Sequence, residues 1–272
     1  MPVVFADAAL AARLESISAA ENERIATAAA RLHPEDRPEA IWVAGGCAVF
    51  CNPGGPINQV TGLGFAGVVT AEDIDKIEAF YDAHGAPTRI NVCPLADPSL
   101  VAELSRRCYV SDSFENMLVR ELLDSDVLPE PDPAIDIRIV EPDEYELWGR
   151  QVAHGFSPTR GPSDEELRLG RVVAHQDDIV RLLAWVDGEP AGTGEVVIRE
   201  GVGWLSADTT LPRFRGRGIQ TAMQRRRLLI AREAGCGLAV TEAHPGSDSQ
   251  RNMERHGFRI VYTRVDMVKA KR

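Results

Sequence analysis

The chain has 272 residues, of which 44% are hydrophobic and 26% charged, a composition typical of a soluble globular protein. Its formal net charge of −11 argues against a protein whose general partners are nucleic acids or anionic membranes. No apolar run is long enough for a transmembrane helix. The N-terminus also lacks the basic segment that begins a signal peptide, so we expect a cytoplasmic protein.

Apolar periodicity and turn residues divide the first half of the chain into helices and strands. Helices are predicted over 7–32, 70–81 and 98–107. Strands are predicted over 40–44, 48–51, 58–65, 89–93 and 114–120. Thr70 and Asp73 have the spacing of a capping box, which marks the start of the second helix.

A proline-rich segment separates the two halves. Three prolines fall within the five residues 129–133, next to acidic residues, so neither a helix nor a central strand can continue there. We therefore expect an extended linker at residues 129–134 between a domain of residues 1–128 and a domain of residues 135–272.

The second half shows a denser succession of elements. Helices are predicted over 144–154, 163–175, 218–234 and 247–256. Strands are predicted over 135–140, 179–186, 191–199, 202–210, 238–243, 258–262 and 264–268. The dipeptides Asp187-Gly188 and Glu200-Gly201 are typical of tight hairpin turns between neighbouring strands.

Both halves end on the same order of elements, strand, helix, strand, helix, strand. A sequence echo accompanies this order at a constant offset, since Tyr109 corresponds to Phe258, Val119 to Val268 and Arg120 to Lys269. This echo favours a duplicated domain, although two unrelated amphipathic segments can also resemble one another by chance.

The clearest functional signal is a turn rich in glycine and arginine. It follows the strand that ends at Thr210 and precedes a long helix, and it contains Gly216, Gly218 and three arginines, Arg213, Arg215 and Arg217. Such a turn directs backbone N–H groups and the positive end of a helix at one point, which suits a diphosphate. The charge distribution agrees, because residues 1–133 have 21 acidic and 9 basic side chains whereas residues 134–272 have 20 and 21. The alternative is a solvated loop.

The segment Arg215–Gln220 resembles the Q/R-x-x-G-x-G/A motif of the GNAT (Gcn5-related N-acetyltransferase) superfamily, with Gln220 in the closing position. Glu254–Phe258 is similar to the closing "GF" signature of that family. The resemblance covers residues 135–272 and implies an acetyl-CoA site in this half. It also implies that the strand ending at Thr210 splays from its neighbour to pair with the pantetheine arm. The residues implied for cofactor binding are Thr210, Leu211, Arg215, Gly216, Arg217, Gly218, Ile219 and Gln220. Ser249 and Asn252, one turn apart on the last predicted helix, are polar and are candidates to contact the pantetheine or the substrate; the alternative is that they only cap the helix and face solvent.

The resemblance gives the fold class as α/β (α+β), with two GNAT-like domains that each contain a mixed, mostly antiparallel sheet flanked by helices. In the N-terminal half, Glu72 and Asp73 occupy the helix start where a phosphate turn is expected, and acids there repel a diphosphate. We therefore expect the first domain to be degenerate, with no CoA site of its own.

The catalytic groups are less clear from the sequence. Many family members carry a tyrosine that protonates the departing thiolate, but Met253 stands at that position. Tyr262 is the nearest alternative acid, and Glu195 and Asp208 are candidate bases for deprotonating the amine. Each can instead be a core residue or an ion-pair partner.

We interpret the chain as an N-acetyltransferase that moves acetyl from acetyl-CoA to an amine, on a small molecule or a peptide, by direct attack in a ternary complex. The alternatives are transfer of a longer acyl group, or a non-catalytic acyl-CoA sensor or scaffold. The five cysteines contain no Cys-x-x-Cys pair and the histidines show no ligand spacing, so we expect no metal and buried, reduced thiols. Two domains in one chain are compatible with a monomer.

Overall fold

The computed structural model describes residues 4–123, 125–126 and 132–270, which form two compact units. The first unit comprises Met1–Met117 and Ile260–Arg272, and the second comprises Leu118–Arg259. The last segment of the chain therefore groups with the first unit, whereas division at the predicted linker assigns it to the second half. That linker, residues 129–134, lies partly outside the described residues, so the domain boundaries stay a prediction.

The first unit contains three helices on a sheet with the strand order β1-β2-β3-β4-β11. The helices are α1 (Ala8–Leu32), α2 (Ala71–Ala83) and α3 (Pro98–Arg106). The strands are β1 (Glu39–Val43), β2 (Gly46–Phe50), β3 (Val60–Thr61), β4 (Arg89–Val92) and β11 (Arg259–Lys269). A further strand, β5 (Tyr109–Glu121), begins in this unit and ends in the second.

Local signals fix the helices of the first unit. Asp7 caps α1 by accepting a hydrogen bond from the N–H of Leu10 at 2.8 Å. The predicted capping box of α2 is confirmed, because Thr70 Oγ1 accepts from the N–H of Asp73 while the Asp73 carboxylate accepts from the N–H of Thr70. The apolar faces meet in one core that includes Phe50, Tyr81, Ile90, Leu100 and Leu104.

Two of the predicted strand regions are shortened or merged in the structure. The strand expected over 58–65 is reduced to Val60–Thr61, because Gly62 and Gly64 adopt φ values of +79° and +88° that end the extended conformation. The two strands expected over 258–262 and 264–268 are one strand, β11. No glycine or proline interrupts residues 259–269, so the chain stays extended there.

The second unit contains four helices and a sheet with the strand order β10-β9-β8-β7-β6. The strands are β6 (Asp136–Ile139), β7 (Ile179–Val186), β8 (Glu189–Arg199), β9 (Val202–Thr210) and β10 (Leu238–Ala243). The helices are α4 (Tyr145–Phe156), α5 (Asp164–Ala174), α6 (Ile219–Glu233) and α7 (Asp248–Arg255). Strands β6 to β9 pair antiparallel, and β10 pairs with β9 in parallel.

The pairing of strand β9 with its two neighbours matters for the site. Its parallel pairing with β10 covers Val202–Trp204 opposite Leu238–Val240, and the Thr241 hydroxyl then donates to the carbonyl oxygen of Leu205 at 3.0 Å. The splaying of β9 near Thr210 stays a prediction. The pairing of β9 with β8 contains a bulge, because Thr193 pairs with Thr209 while Glu195 pairs with Ser206. One residue of β8 therefore lies opposite two residues of β9.

Helix α4 approaches β9 closely at its C-terminal end. A Cβ atom on Gly155 would lie only 2.2 Å from the Cβ of Thr209, so a larger residue cannot occupy this position without a shift. Helices α4 and α5 also cross at a close distance, since a Cβ on Gly149 would lie 2.6 Å from the carbonyl oxygen of Gly170. The glycines thus bring helix α4 against the strand that leads to the predicted site.

Candidate functional site

The predicted phosphate turn connects β9 to α6. A short 3-10 turn, Pro212–Phe214, follows the strand, and Gly216 and Gly218 then adopt φ values of +77° and +80°. These backbone angles, and not a shortage of space, require glycine, because a Cβ on Gly216 would have no neighbour within 4 Å. Gly218 is the N-cap of α6, and no side chain among the described residues caps this helix, so its first N–H groups are available to an anion.

A cavity of 560 Å³ opens at this turn. Its wall combines the end of β9, the turn, the first residues of α6 and one face of α7. The lining residues are Gly155, Asp208, Thr209, Thr210, Phe214, Arg215, Gly216, Gly218, Ile219, Gln220, Thr221, Asp248, Ser249, Arg251, Asn252 and Arg255. Most of the residues predicted to bind the cofactor therefore surround one space, and Leu211 and Arg217 do not line it.

The three arginines of the turn have different environments. Arg215 lines the cavity, with no ion pair or hydrogen bond to another described side chain. Arg217 instead forms an ion pair with Asp187 at 2.9 Å, and Arg213 forms one with Glu189. Asp187 and Glu189 lie at the β7–β8 hairpin turn. The ion pairs of Arg213 and Arg217 therefore connect the glycine- and arginine-rich turn to that hairpin. Arg215 is therefore the arginine of the turn that is placed to meet a bound anion.

Helix α7 presents a polar face to the cavity. Ser249 and Asn252 lie on this face, and the Asn252 amide donates a hydrogen bond to the side-chain oxygen of Gln220. Gln220, which departs from the family motif, thus joins the start of α6 to α7. Met253 is 1% exposed and packs in the core with Phe258, so it does not face the cavity.

The three predicted catalytic side chains lie in different places. Asp208 lines the cavity at the bulge of β9. Glu195 is buried on β8 and accepts a hydrogen bond from the Ser206 hydroxyl at 2.6 Å, outside the cavity lining.

Tyr262 belongs to the first unit and is also outside the cavity lining. It is buried, and its hydroxyl donates a hydrogen bond to the Glu15 carboxylate at 2.9 Å. Burial, followed by the negative charge of Glu15, raises the pKa of Tyr262 above its usual range. The structure gives Tyr262 a structural contact in place of a position at the cavity, and we do not retain it as the acid.

The Asp208 carboxylate is oriented by a buried arginine. Arg227 of α6 is 0% exposed, and its Nη2 donates to Asp208 Oδ2 at 2.7 Å. Asp208 Oδ1 has no hydrogen-bond partner among the described residues. Burial, and then the charges of Arg225 and Arg120, lower the pKa of His256, which lies just beyond α7.

Several lining residues were missed by the sequence analysis. Gly155, Thr209, Phe214 and Thr221 border the cavity, and Arg251 and Arg255 extend the exposed face of α7. The last two lie three and seven residues after Asp248, on the same helix face. Spacing of three residues from Asn252 could have identified Arg255, whereas Arg251 is not at helical spacing from Ser249 or Asn252. Gly155 comes from a helix that no motif connects to the turn.

The described residues contain neither a metal-binding cluster nor a membrane-spanning helix. Within the described residues, no cluster of three or more histidine, cysteine or acidic side chains is arranged to hold a metal ion. No helix in that part of the chain is long and apolar enough to cross a membrane.

Comparison with solved structures identifies the fold. A GCN5-related N-acetyltransferase from Kribbella flavida is similar with a TM-score of 0.65 and 17% identity, over 91% of this chain and 96% of that one. A tandem GNAT protein from the clavulanic acid biosynthesis pathway is similar with a TM-score of 0.60 and 14% identity, over 83% and 78%. A functionally unknown conserved protein from Staphylococcus epidermidis gives 0.58 and 14%, over 86% and 94%. The fold is thus that of tandem GNAT proteins.

The sequence carries the family assignment further. Residues 145–258 match the model of the acetyltransferase (GNAT) family, and this segment contains the turn, the cavity and α7. No curated protein sequence matches the chain significantly. Residues 145–258 are therefore similar in sequence to the GNAT acetyltransferase family, which supports acyl transfer as the general class of reaction, and the fold is similar to that of tandem GNAT proteins.

Proposed function

We propose that the second unit binds acetyl-CoA in the cavity at the start of α6 and transfers its acetyl group to an amine. The observation that carries this proposal is the uncapped N-terminus of α6 behind Gly216 and Gly218, which opens on a cavity that reaches Asp208. The free N–H groups and Arg215 suit the diphosphate, because both favour negative charge. The end of β9 near Thr210 suits the pantetheine arm.

Asp208 is the base in this proposal. An amine attacks a thioester only when its nitrogen lone pair is free, so a proton must leave the acceptor before or during attack. Asp208 borders the cavity and Arg227 holds its Oδ2, and in this proposal the carboxylate accepts the proton of the amine. The nitrogen then bonds to the acyl carbon, the carbon–sulfur bond breaks, and the CoA thiolate leaves without a protein acid, since no tyrosine lines the described cavity.

Direct attack agrees with the positions of the cysteines. None of the five lines the cavity, and four of them are buried. A covalent acyl-enzyme has no thiol nucleophile at hand among the described lining residues. We therefore propose a ternary complex, which gives intersecting lines in double-reciprocal plots. Parallel lines together with an isolable acetyl-enzyme would contradict this scheme.

A thiol-release assay tests the proposal. The full chain is incubated with acetyl-, propionyl- or octanoyl-CoA and a panel of small amines and peptides, and free CoA is measured. We expect release with acetyl-CoA that depends on an amine. Tight binding without release for any amine would identify a sensor, and faster release with octanoyl-CoA would identify a transferase of longer acyl groups.

Substitution of two aspartates by asparagine tests the role of Asp208 as the base. Asp208→Asn should lower kcat/KM by about a hundredfold or more, since general-base catalysis contributes on that order. Asp248→Asn is the matched control, because Asp248 also lines the cavity but lies exposed at the start of α7. Equal effects of the two substitutions would remove Asp208 from the proposal.

A further inference from the structure

The helix that follows the phosphate turn contains a fully buried arginine. Arg227 is 0% exposed and is among the largest side chains of the chain to be completely enclosed. It lies on the inner face of α6 with Met223 and Ala231, whereas its neighbours Arg225 and Arg226 are partly exposed. Removing a guanidinium from water is costly unless its donors are bound, so the contacts of Arg227 show what its burial secures.

Two of those contacts are to strand β9. Besides the bond from Nη2 to Asp208 Oδ2 at 2.7 Å, Nη1 donates to the carbonyl oxygen of Ser206 at 3.1 Å. The side-chain oxygen of Gln224, itself buried, accepts a further bond from Nη2 at 2.8 Å. One rigid guanidinium thus binds the backbone before Ala207 and the carboxylate after it.

These two acceptors flank the bulge of β9. Ala207 has a φ of +50°, a left-handed conformation that is unfavourable for a residue with a side chain. The Thr193 hydroxyl donates to the carbonyl oxygen of Ala207 at 2.9 Å, so side chains bind both carbonyls of the bulge. A strained backbone of this kind persists only where its surroundings hold it.

The residue opposite the bulge leaves space for the arginine. A Cβ on Gly194 would lie 3.1 Å from Arg227 Nε and 2.9 Å from the Cγ of Met223. A larger residue at this position would therefore crowd both Met223 and the Arg227 guanidinium. The bulge, the glycine opposite it and the buried arginine are therefore one arrangement, and it places the Asp208 carboxylate, with a side chain only 11% exposed, at the cavity wall.

We infer that Arg227 is a positioning residue for acyl transfer, which holds the Asp208 carboxylate at the cavity wall through Oδ2, in the orientation in which that carboxylate accepts the proton of the acceptor amine. The inference rests on the proposed function. Arg227 does not line the cavity and acts only through Asp208 and the bulge. If Arg227 acts in this way, a substitution of Arg227 should affect the reaction only while the Asp208 carboxylate is present.

A double-mutant cycle tests this dependence. Arg227→Lys keeps the charge but loses the planar fork, and it should lower kcat by about tenfold or more, since small misplacements of catalytic groups have effects of that size. The Kd for CoA, measured by calorimetry, should stay unchanged. In an Asp208→Ala background, Arg227→Lys should change kcat by less than about twofold, because coupled residues are not additive. Arg226→Lys, one position earlier on α6, is the matched control and should change neither background.

The outcomes separate this inference from the proposed function. If Arg227→Lys lowers kcat by the same factor with and without Asp208, Arg227 is only structural and the inference is overturned. If Arg227→Lys does not fold, Gly194→Ala crowds the guanidinium from the opposite side, and the same cycle is measured with that variant.

If the wild-type chain releases thiol with no amine, the proposed function fails, and crystal structures of wild type and Arg227→Lys decide the inference. An Asp208 carboxylate in the same position in both would overturn it. A displaced carboxylate would support it.

Discussion

Replacement of Gly218 by aspartate or alanine separates two properties of the phosphate turn, the left-handed backbone at Gly218 and the preference of the helix start for an anion. Both substitutions place a side chain on a residue with a φ of +80°, which costs about 1–2 kcal/mol of folding free energy for a left-handed backbone. Neither is sterically blocked, because a Cβ on Gly218 meets only Ile135 Cδ1, at 3.9 Å. The aspartate alone adds a negative charge beside the uncapped N-terminus of α6.

The effect of that charge on CoA binding can be calculated. A carboxylate about 5 Å from a phosphate charge is repelled by about 3 kcal/mol at an effective dielectric constant near 20, or roughly a hundredfold in Kd. We therefore expect Gly218→Asp to weaken CoA binding by this factor and Gly218→Ala to weaken it only slightly. The penalty should shrink at high salt, because ions screen charges that remain accessible to solvent.

Isothermal titration calorimetry with CoA at low and high salt separates the effect of backbone strain on Kd from the effect of charge repulsion. Wild type should bind one equivalent of CoA per chain. Gly235→Asp is the control, since Gly235 has a φ of +78° beyond the other end of α6 and nothing lies within 4 Å of a Cβ there. It should lower Tm and leave Kd unchanged. Equal weakening by aspartate and alanine at Gly218 would show that backbone strain, and not charge, controls the site. A second equivalent would contradict a single site.

Three further predictions follow from the buried and charged side chains. Tyr262→Phe removes a buried hydrogen bond to a carboxylate, so it should cost about 1–3 kcal/mol of unfolding free energy in denaturant titrations and leave kcat unchanged; a tenfold loss of kcat would restore Tyr262 as the acid. Hydrogen bonds from Ser163 and Ser157, then Arg160, lower the pKa of Glu166 to about 2, below its usual 4.5. Its stabilising contribution is therefore present above pH 4.5 and is lost as the pH falls toward 2, so the Tm difference between wild type and Glu166→Gln should vanish over that interval. Burial raises the pKa of Cys47, Cys51 and Cys93 to about 12, whereas Cys108 is exposed, so iodoacetamide should add one label to the native protein by intact mass.

The parts of the fold that depend on neighbouring residues could be predicted from the sequence. The capping box at Thr70 and the helix start at Ser163 are satisfied by groups three residues away, so local sequence determines them. The hairpin turn at Asp187-Gly188 is another case, because both residues have positive φ, as a tight turn of this kind requires. The glycines of the phosphate turn belong to the same class.

The parts that depend on distant partners could not be predicted. Arg217 has the same local sequence signal as Arg215, but Asp187, which pairs with it, lies thirty residues earlier in the chain. The register shift of β9 at Ala207 likewise depends on Gly194 and the helix behind it. Arg227 did leave a signal, because Met223, Arg227 and Ala231 recur at the four-residue spacing of a buried helix face.

Both units contain a buried ion pair, and the position of its carboxylate decides what the pair can do. In the first unit Arg264 is 2% exposed and donates to Glu15 at 2.7 Å, and Tyr262 donates to the same oxygen. Glu15 is 1% exposed, so this pair joins α1 to β11 and has no route to a ligand.

In the second unit the arginine is enclosed in the same way, but its carboxylate, on Asp208, borders a cavity. Buried ion pairs add little net stability compared with apolar packing, so one that is retained at a cavity wall is better explained by the chemistry of that cavity. The N-termini of α2 and α6 also differ. The Asp73 carboxylate takes part in the cap of α2, whereas no described side chain caps α6. Anion binding and proton transfer are therefore expected together in the second unit.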